Sequence, residues 1–267
     1  MQSFDAVIIG TGQAGPPLAR RLAAAGQRVA IIERGRFGGT CVNTGCTPTK
    51  AMVASAYAAH MARRAGEFGV SIDGPISIDW AQVRARKDAI SGASRTAVER
   101  SLRTAENVTV LQGDARLSSS RGVTVDGQVL SAGKIFLNVG GRPGIPPIPG
   151  IDTVAHLTSD TIMDFEALPA HLVVLGGSYV GLEFAQMFRR FGAAVSVIET
   201  APRLIAREDD EISDWVKRIL EAEGIRVVLN ATELSVTRHD DGPVLRFSGG
   251  EAAGSHLLVA TGRRPNT

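Results

Sequence analysis

Cysteine is scarce in this chain: two residues, Cys41 and Cys46, among 267. A scaffold stapled by several disulfides is excluded. A zinc site lacks ligands, because no histidine stands at ligand spacing from either thiol. Net charge is also nearly absent, with a formal value of +2 at pH 7 and acids and bases interspersed. No basic stripe therefore marks a nucleic-acid partner, in spite of a pI near 8.7. Long apolar runs are missing too. Glycine interrupts them within a few residues, so no membrane span is expected. The opening MQSFDAVIIG has neither a basic start nor a small-residue cleavage site, so no secretory leader is read there. The expected location is cytoplasmic, where a cysteine pair points to catalysis or metal binding rather than to a static cross-link.

What is present is a soluble, globular composition, 44% hydrophobic and 21% charged, with length enough for two cores. Ala6–Ile9 reads as a buried parallel strand running into Gly10-Thr-Gly12-Gln-Ala-Gly15. A helix follows, with Pro16 and Pro17 in its first turn, where no backbone donor is needed. Val29–Ile32 is the next strand and Glu33 stands at its end. Strand, glycines, helix, strand and acid form the whole dinucleotide-binding unit. Gly10 permits the tight turn, Gly12 lets backbone approach a pyrophosphate, and Gly15 lets helix and strand pack. The helix start offers amides and a positive dipole to phosphate, and Glu33 can accept from ribose hydroxyls.

Gly38-Gly39-Thr40-Cys41-Val-Asn-Thr-Gly-Cys46-Thr-Pro-Thr-Lys50 comes next. Gly39 permits close backbone approach and Thr40 is a candidate phosphate contact or cap. Both cysteines lie near the start of an Ala-rich helix, whose dipole is expected to lower a thiol pKa. A disulfide between them would be accessible and suited to exchange. Buried hydrophobes, a zinc site and a static disulfide are the competing readings.

This segment resembles the redox-active motif C-V-N-x-G-C-x-P-[ST]-K of the class I pyridine nucleotide-disulfide oxidoreductases, which include dihydrolipoamide dehydrogenase, glutathione reductase and mercuric reductase. The resemblance implies that the first nucleotide is FAD. It implies that Cys41 exchanges with substrate, that Cys46 faces the flavin, and that Lys50 lies near its ring. It also makes Ala115, after strand Val108–Leu111, a backbone contact to adenine. Asn138-Val-Gly140 stands where the family usually has Ala-Thr-Gly. Asn138, Gly140 and Arg142 are kept as cofactor contacts, and the stiff run Arg142–Gly150 reads as a linker. Trp80–Ala105 reads as a helix interrupted near Ser91-Gly92, its basic residues forming a solvated face. Gln128–Leu130, after an Asp126-Gly127 turn, and Ile135–Val139 read as separate strands.

A second unit repeats the first. Strand His171–Leu175 leads into Gly176-Gly-Ser178-Tyr179-Val180-Gly181, a helix to Phe191, a strand, and Glu199 at the same spacing from its first glycine. Ser178 replaces the middle glycine. A carboxylate at Glu199 accepts from a ribose 2′-hydroxyl and repels a 2′-phosphate, so NADH is expected over NADPH, with Arg203 near enough to blur the preference. The resemblance makes Tyr179 the ring over the nicotinamide pocket, Glu183 the partner of Lys50, and Gly262 a contact at the nicotinamide end.

The expected fold is α/β: two Rossmann-like domains, an FAD domain over residues 1–147 and an NAD(P) domain over 148–267, with the family's C-terminal dimerisation domain absent. No histidine has the Glu five residues on that the family uses across its dimer. The chain therefore reads as truncated, with homodimerisation expected for the full-length family. The expected activity passes electrons from NAD(P)H through FAD to a Cys41–Cys46 disulfide and on to a small disulfide or metal-ion substrate. The alternatives are a catalytically incompetent nucleotide-binding fragment and an NADH oxidase-type flavoprotein, which typically carries one active cysteine.

Overall fold

A computed structural model describes residues 2–266. By contacts the chain divides into two compact units. One comprises the residues up to Pro48, Lys87–Arg142 and those from Pro265 on; the other comprises Thr49–Arg86 and Pro143–Arg264.

The first unit is built on β1 (Gln2–Ile9), α1 (Gly15–Ala24), β2 (Val29–Glu33) and the one-turn helix α2 (Gly39–Asn43). Helix α3 (Cys46–Arg63) begins here, and α4 (Trp80–Arg103) ends here. Then come β3 (Val108–Gln112), β4 (Ala115–Ser119), β5 (Gly122–Val125) and β6 (Gln128–Leu137). The sheet order is β3-β2-β1-β6-β5-β4. The first four strands are parallel and the last two join antiparallel. Successive residues of β1 go to opposite faces. Ala6 and Ile8 pack with Ala19, Ala23 and Leu102, whereas Val7 packs with Ile32, Val123 and Leu130. Both faces are thus covered, which is why the strand reads as a continuous apolar run.

Two local expectations change. β6 is one strand, because its polar middle, Ser131–Lys134, is paired to Ser3–Ala6 of β1. Helix α4 runs without a break through Ser91-Gly92. An interior glycine costs a helix only about 1 kcal/mol, less than the burial of Trp80 and Leu102 at its two ends supplies. Nor is the basic side of α4 simply solvated. Arg84 donates to the Phe165 carbonyl (2.7 Å), Arg86 to that of Ala51 (2.6 Å), and the Lys87 side chain is buried.

The second unit is entered through β7 (Gly141–Pro143) and repeats the parallel plan with β8 (His171–Leu175), α5 (Tyr179–Phe191), β9 (Ala194–Ile198), α6 (Asp210–Ala222) and β10 (Arg226–Val228). An antiparallel meander follows, β11 (Ser235–His239), β12 (Gly242–Phe247) and β13 (Gly250–Ala253). β14 (His256–Val259) completes the sheet β10-β9-β8-β14, and β15 (Arg263–Pro265) leads the chain back. A cut near residue 147 misses one feature. Thr49–Arg86 belongs with the second unit because Met52, Ala56 and Trp80 are buried among Leu182, Phe184 and Phe188. The Trp80 ring lies 5.8 Å from that of Phe188 and 5.4 Å from that of Phe191, and its indole donates to the Phe165 carbonyl at 3.0 Å.

Candidate active site

At the end of β1 the chain turns at Gly10, whose φ of +104° a side chain rarely adopts. A Cβ there would lie 2.2 Å from the Asn138 carbonyl oxygen, and one on Gly15 would lie 2.3 Å from that of Gly10. The turn is therefore closed to any larger residue. Beyond it the amides of Gly12, Gln13 and Ala14 meet no protein acceptor among the described residues. The two prolines occupy the first turn of α1, as their missing donors require. An open row of amides at a helix start is a ready anion cradle, and these residues fit a dinucleotide's pyrophosphate.

Glu33 locks this loop. Its Oε2 accepts from the Thr11 amide (3.0 Å) and hydroxyl, and its Oε1 from the Gly35 amide (2.9 Å). A carboxylate has about four lone-pair sites, so Glu33 can accept from one further donor. Thr11 is buried, and its hydroxyl oxygen accepts from the Gly38 amide at 3.2 Å. Thr11 thus joins the glycine loop, the acid and the cysteine segment. It stands at the variable position of the motif, so only the structure gives it a role.

The cysteine segment rests directly on the loop. Gly39 has φ +62°, and a Cβ on it would lie 2.7 Å from Gly12 Cα. Cys41 lies within α2 and Cys46 opens α3, with Thr44-Gly45 between them. Gly45 is pressed against this turn; its Cβ would meet the Thr40 oxygen at 2.9 Å and Cys41 Cα at 3.3 Å. Both cysteines are free thiols, and Cys46 neighbours Cys41. The expected lowering of thiol pKa is overturned at Cys41. Burial pushes this thiol up, and the Cys46 contact pushes it further. A one-turn helix has little dipole to oppose the lost hydration.

The remaining candidates of the first unit are distributed as follows. Thr40 is on the exposed side of α2. Asn138 donates to the Gly10 carbonyl at 3.3 Å and sits beneath Gly12 and Gly15. Gly140 keeps φ +69° with open space beside it. Ala115 opens β4, two residues after Gly113, whose amide bonds the Glu33 carbonyl at 2.9 Å. Arg142 is engaged by the Pro265 carbonyl (2.9 Å) and Asn266 Oδ1 (3.0 Å).

The second loop repeats the glycine packing and the acid-to-amide contacts of the first. A Cβ on Gly176 would meet the Ala260 oxygen at 2.6 Å, and one on Gly181 that of Gly176 at 2.1 Å. Glu199 accepts from the Gly177 amide through Oε2 (2.5 Å) and from the Ala201 amide through Oε1 (2.8 Å). Ser178 has negative φ and an exposed side chain, so the middle position needs no glycine here. Gly176, Ser178 and Glu199, with Tyr179, Val180 and Gly262, line a cleft of ≈ 690 Å³, and Gly181 lies outside its lining. Arg203 also lines it but is paired with Asp210, and the Tyr179 hydroxyl donates to Glu208. Lys50 and Glu183 form an ion pair, as expected, although 133 residues separate them.

Residues 4–267 match the family described as pyridine nucleotide-disulphide oxidoreductase. The chain belongs to this family. The chain is 36% identical over 274 residues to the probable pyridine nucleotide-disulfide oxidoreductase RclA of Escherichia coli, covering all of this chain and 58% of that protein. It is 36% identical to a mercuric reductase of Streptomyces lividans, covering 99% of this chain and 57% of that one. It is 33% identical to a dihydrolipoyl dehydrogenase of Chlamydia pneumoniae, at 100% and 58% coverage. The solved Cu(II) complex of the HOCl-induced flavoprotein disulfide reductase RclA superposes with a TM-score of 0.88 at 34% identity, again over 58% of its length. The chain thus spans a little under three fifths of each of these relatives. Its family uses FAD and NAD(P)H.

Proposed function

We propose that this oxidoreductase carries electrons from NADH to a Cys41–Cys46 disulfide through FAD, and from the resulting dithiol to a small disulfide or a thiophilic metal ion. The observation that carries the reading is the seat of Gly39 on Gly12, which sets the cysteine segment against the first glycine loop. Gly10, Gly12, Gly15 and Glu33 would hold the FAD, with Thr40, Ala115, Asn138, Gly140 and Arg142 at its borders. Gly176, Ser178, Tyr179, Val180, Gly181, Glu199 and Gly262 would hold the nicotinamide dinucleotide. Bound FAD supplies a two-electron relay between hydride donor and disulfide.

The chain's own contribution is charge and geometry. Lys50, paired with Glu183, would offer a positive charge to a reduced ring that gains a negative one. Reduction breaks the S–S bond with two electrons and two protons and leaves two thiols. Cys41 is then the exchanging thiol and Cys46 the internal one. The Glu199 carboxylate disfavours a 2′-phosphate, and the Asp210 partner answers the charge of Arg203, so NADH is the preferred donor. Disulfides and mercuric ion both suit the relatives' names, dihydrolipoyl dehydrogenase and mercuric reductase.

The test is a visible spectrum of the purified chain saturated with FAD, before and after NADH without oxygen. A yellow protein that bleaches within one equivalent supports the reading. A chain that retains no flavin overturns it.

A further inference from the structure

One contact of the cysteine segment has no part in the scheme above. Asn43 ends α2 midway between the thiols, and its side-chain amide donates to the carbonyls of Phe37 (2.9 Å) and Gly39 (2.9 Å) and, more weakly, Arg36 (3.4 Å). It thereby ties the end of the one-turn helix back to the residues that precede it. A helix of five residues has no stability of its own, so such ties decide how well the turn holds. The Asn43 oxygen faces the other way and accepts from Arg95 Nε at 2.9 Å. Arg95 lies on α4, 52 residues further along the chain. The same helix grips this segment a second time, with the Arg103 guanidinium 5.6 Å over the Phe37 ring.

We propose that Arg95 is a positioning residue for the dithiol: through Asn43 it holds the Cys41 turn closed against Cys46 and so stabilises the disulfide relative to the two thiols. The inference rests on the reading that this pair cycles between dithiol and disulfide. Its physical basis is effective concentration. Two thiols held at one spacing close a disulfide more readily than two on a loosened turn. Gly45, pressed against the Thr40 oxygen and Cys41 Cα, shows the closed turn. The Asn43 amide is oriented by its donations to Phe37 and Gly39 and held there by the Arg95 donor to its oxygen.

The experiment equilibrates the full chain with glutathione buffers of graded poise. Two glutathione thiols are oxidised for each Cys41–Cys46 disulfide reduced, and thiols are counted by alkylation and mass. Arg95→Ala should shift the equilibrium toward the dithiol about fivefold, about 20 mV at 29.6 mV per tenfold. Arg95→Gln should stay within about twofold of the native chain, because its Nε2 sits the same number of bonds from the backbone as Arg Nε. Asn43→Ala should shift at least as far as Arg95→Ala, and the double variant no further than Asn43→Ala alone. Equal shifts in Arg95→Gln and Arg95→Ala would make the effect one of charge and overturn the inference. Additive shifts, or none from Arg95→Ala, would do the same. Should Asn43→Ala fail to fold, Asn43→Ser carries the same cycle. A native chain that forms no disulfide at any poise defeats the functional reading itself, whereas a native disulfide indifferent to Arg95 defeats only this inference.

Discussion

Gly39 and Gly12 touch so closely that no side chain fits between them: a Cβ on Gly39 would stand 2.7 Å from Gly12 Cα. The cysteine segment and the glycine loop are therefore one unit of structure. Gly39→Ala must both strain a backbone at φ +62° and push the loop outward. A left-handed conformation alone costs a non-glycine residue about 1–2 kcal/mol. Affinity for FAD should fall at least tenfold, read from flavin retained after gel filtration.

Thr11 tests the lock beneath that contact. Thr11→Val keeps the shape, removes one donor from Glu33 and leaves the Gly38 amide without its acceptor. A buried group left unsatisfied costs about 1–3 kcal/mol. Chemical denaturation should show a loss in that range, with no change in the slope of the transition.

The two Rossmann units were legible in the sequence because their glycines do steric work that few other residues can do. Gly10, Gly15, Gly176 and Gly181 all face carbonyl oxygens within 2.6 Å of a would-be Cβ. The Lys50–Glu183 pair was legible only through family resemblance, since nothing local ties residues so far apart. Thr11, Asn43 and Arg95 were not legible. Their roles depend on which side chain meets which loop after folding, and a hydroxyl, an amide and a guanidinium on the surface of a pattern look alike. The same reason hid the raised Cys41 pKa: helix position argues for lowering, and only the fold reveals the burial that outweighs it.

The Lys50–Glu183 pair should separate function from stability. Lys50 keeps 64% of its side chain exposed, and exposed pairs stabilise a fold by about 0–1 kcal/mol. Glu183→Gln should leave the melting temperature nearly unchanged. It should slow reduction of bound flavin by NADH about tenfold, an increase of roughly 1.4 kcal/mol in the barrier. Stopped-flow absorbance reads the rate.

Cys41 gives a pH prediction. Burial, then the Cys46 contact, favours its neutral thiol. Alkylation of reduced Cys41 should be slow at neutral pH, with a midpoint above the ordinary thiol value of about 8.5. The folded chain also holds the Cys41 proton more tightly than the unfolded one. This contribution to the stability of the reduced protein is present below the unfolded thiol pKa and is lost as pH rises through the folded one.

Glu199 governs the choice of electron donor. Glu199→Ala frees the Gly177 and Ala201 amides and removes the charge that repels a 2′-phosphate. The ratio of kcat/KM for NADH over NADPH should fall about tenfold or more.

The decisive measurement is a thiol count on the flavin-loaded chain after one equivalent of NADH without oxygen. Starting from the oxidised pair, two thiols should appear per chain, mapped to Cys41 and Cys46, and none in Cys46→Ser. NADH consumed and flavin bleached with no new thiol at either position would contradict the account.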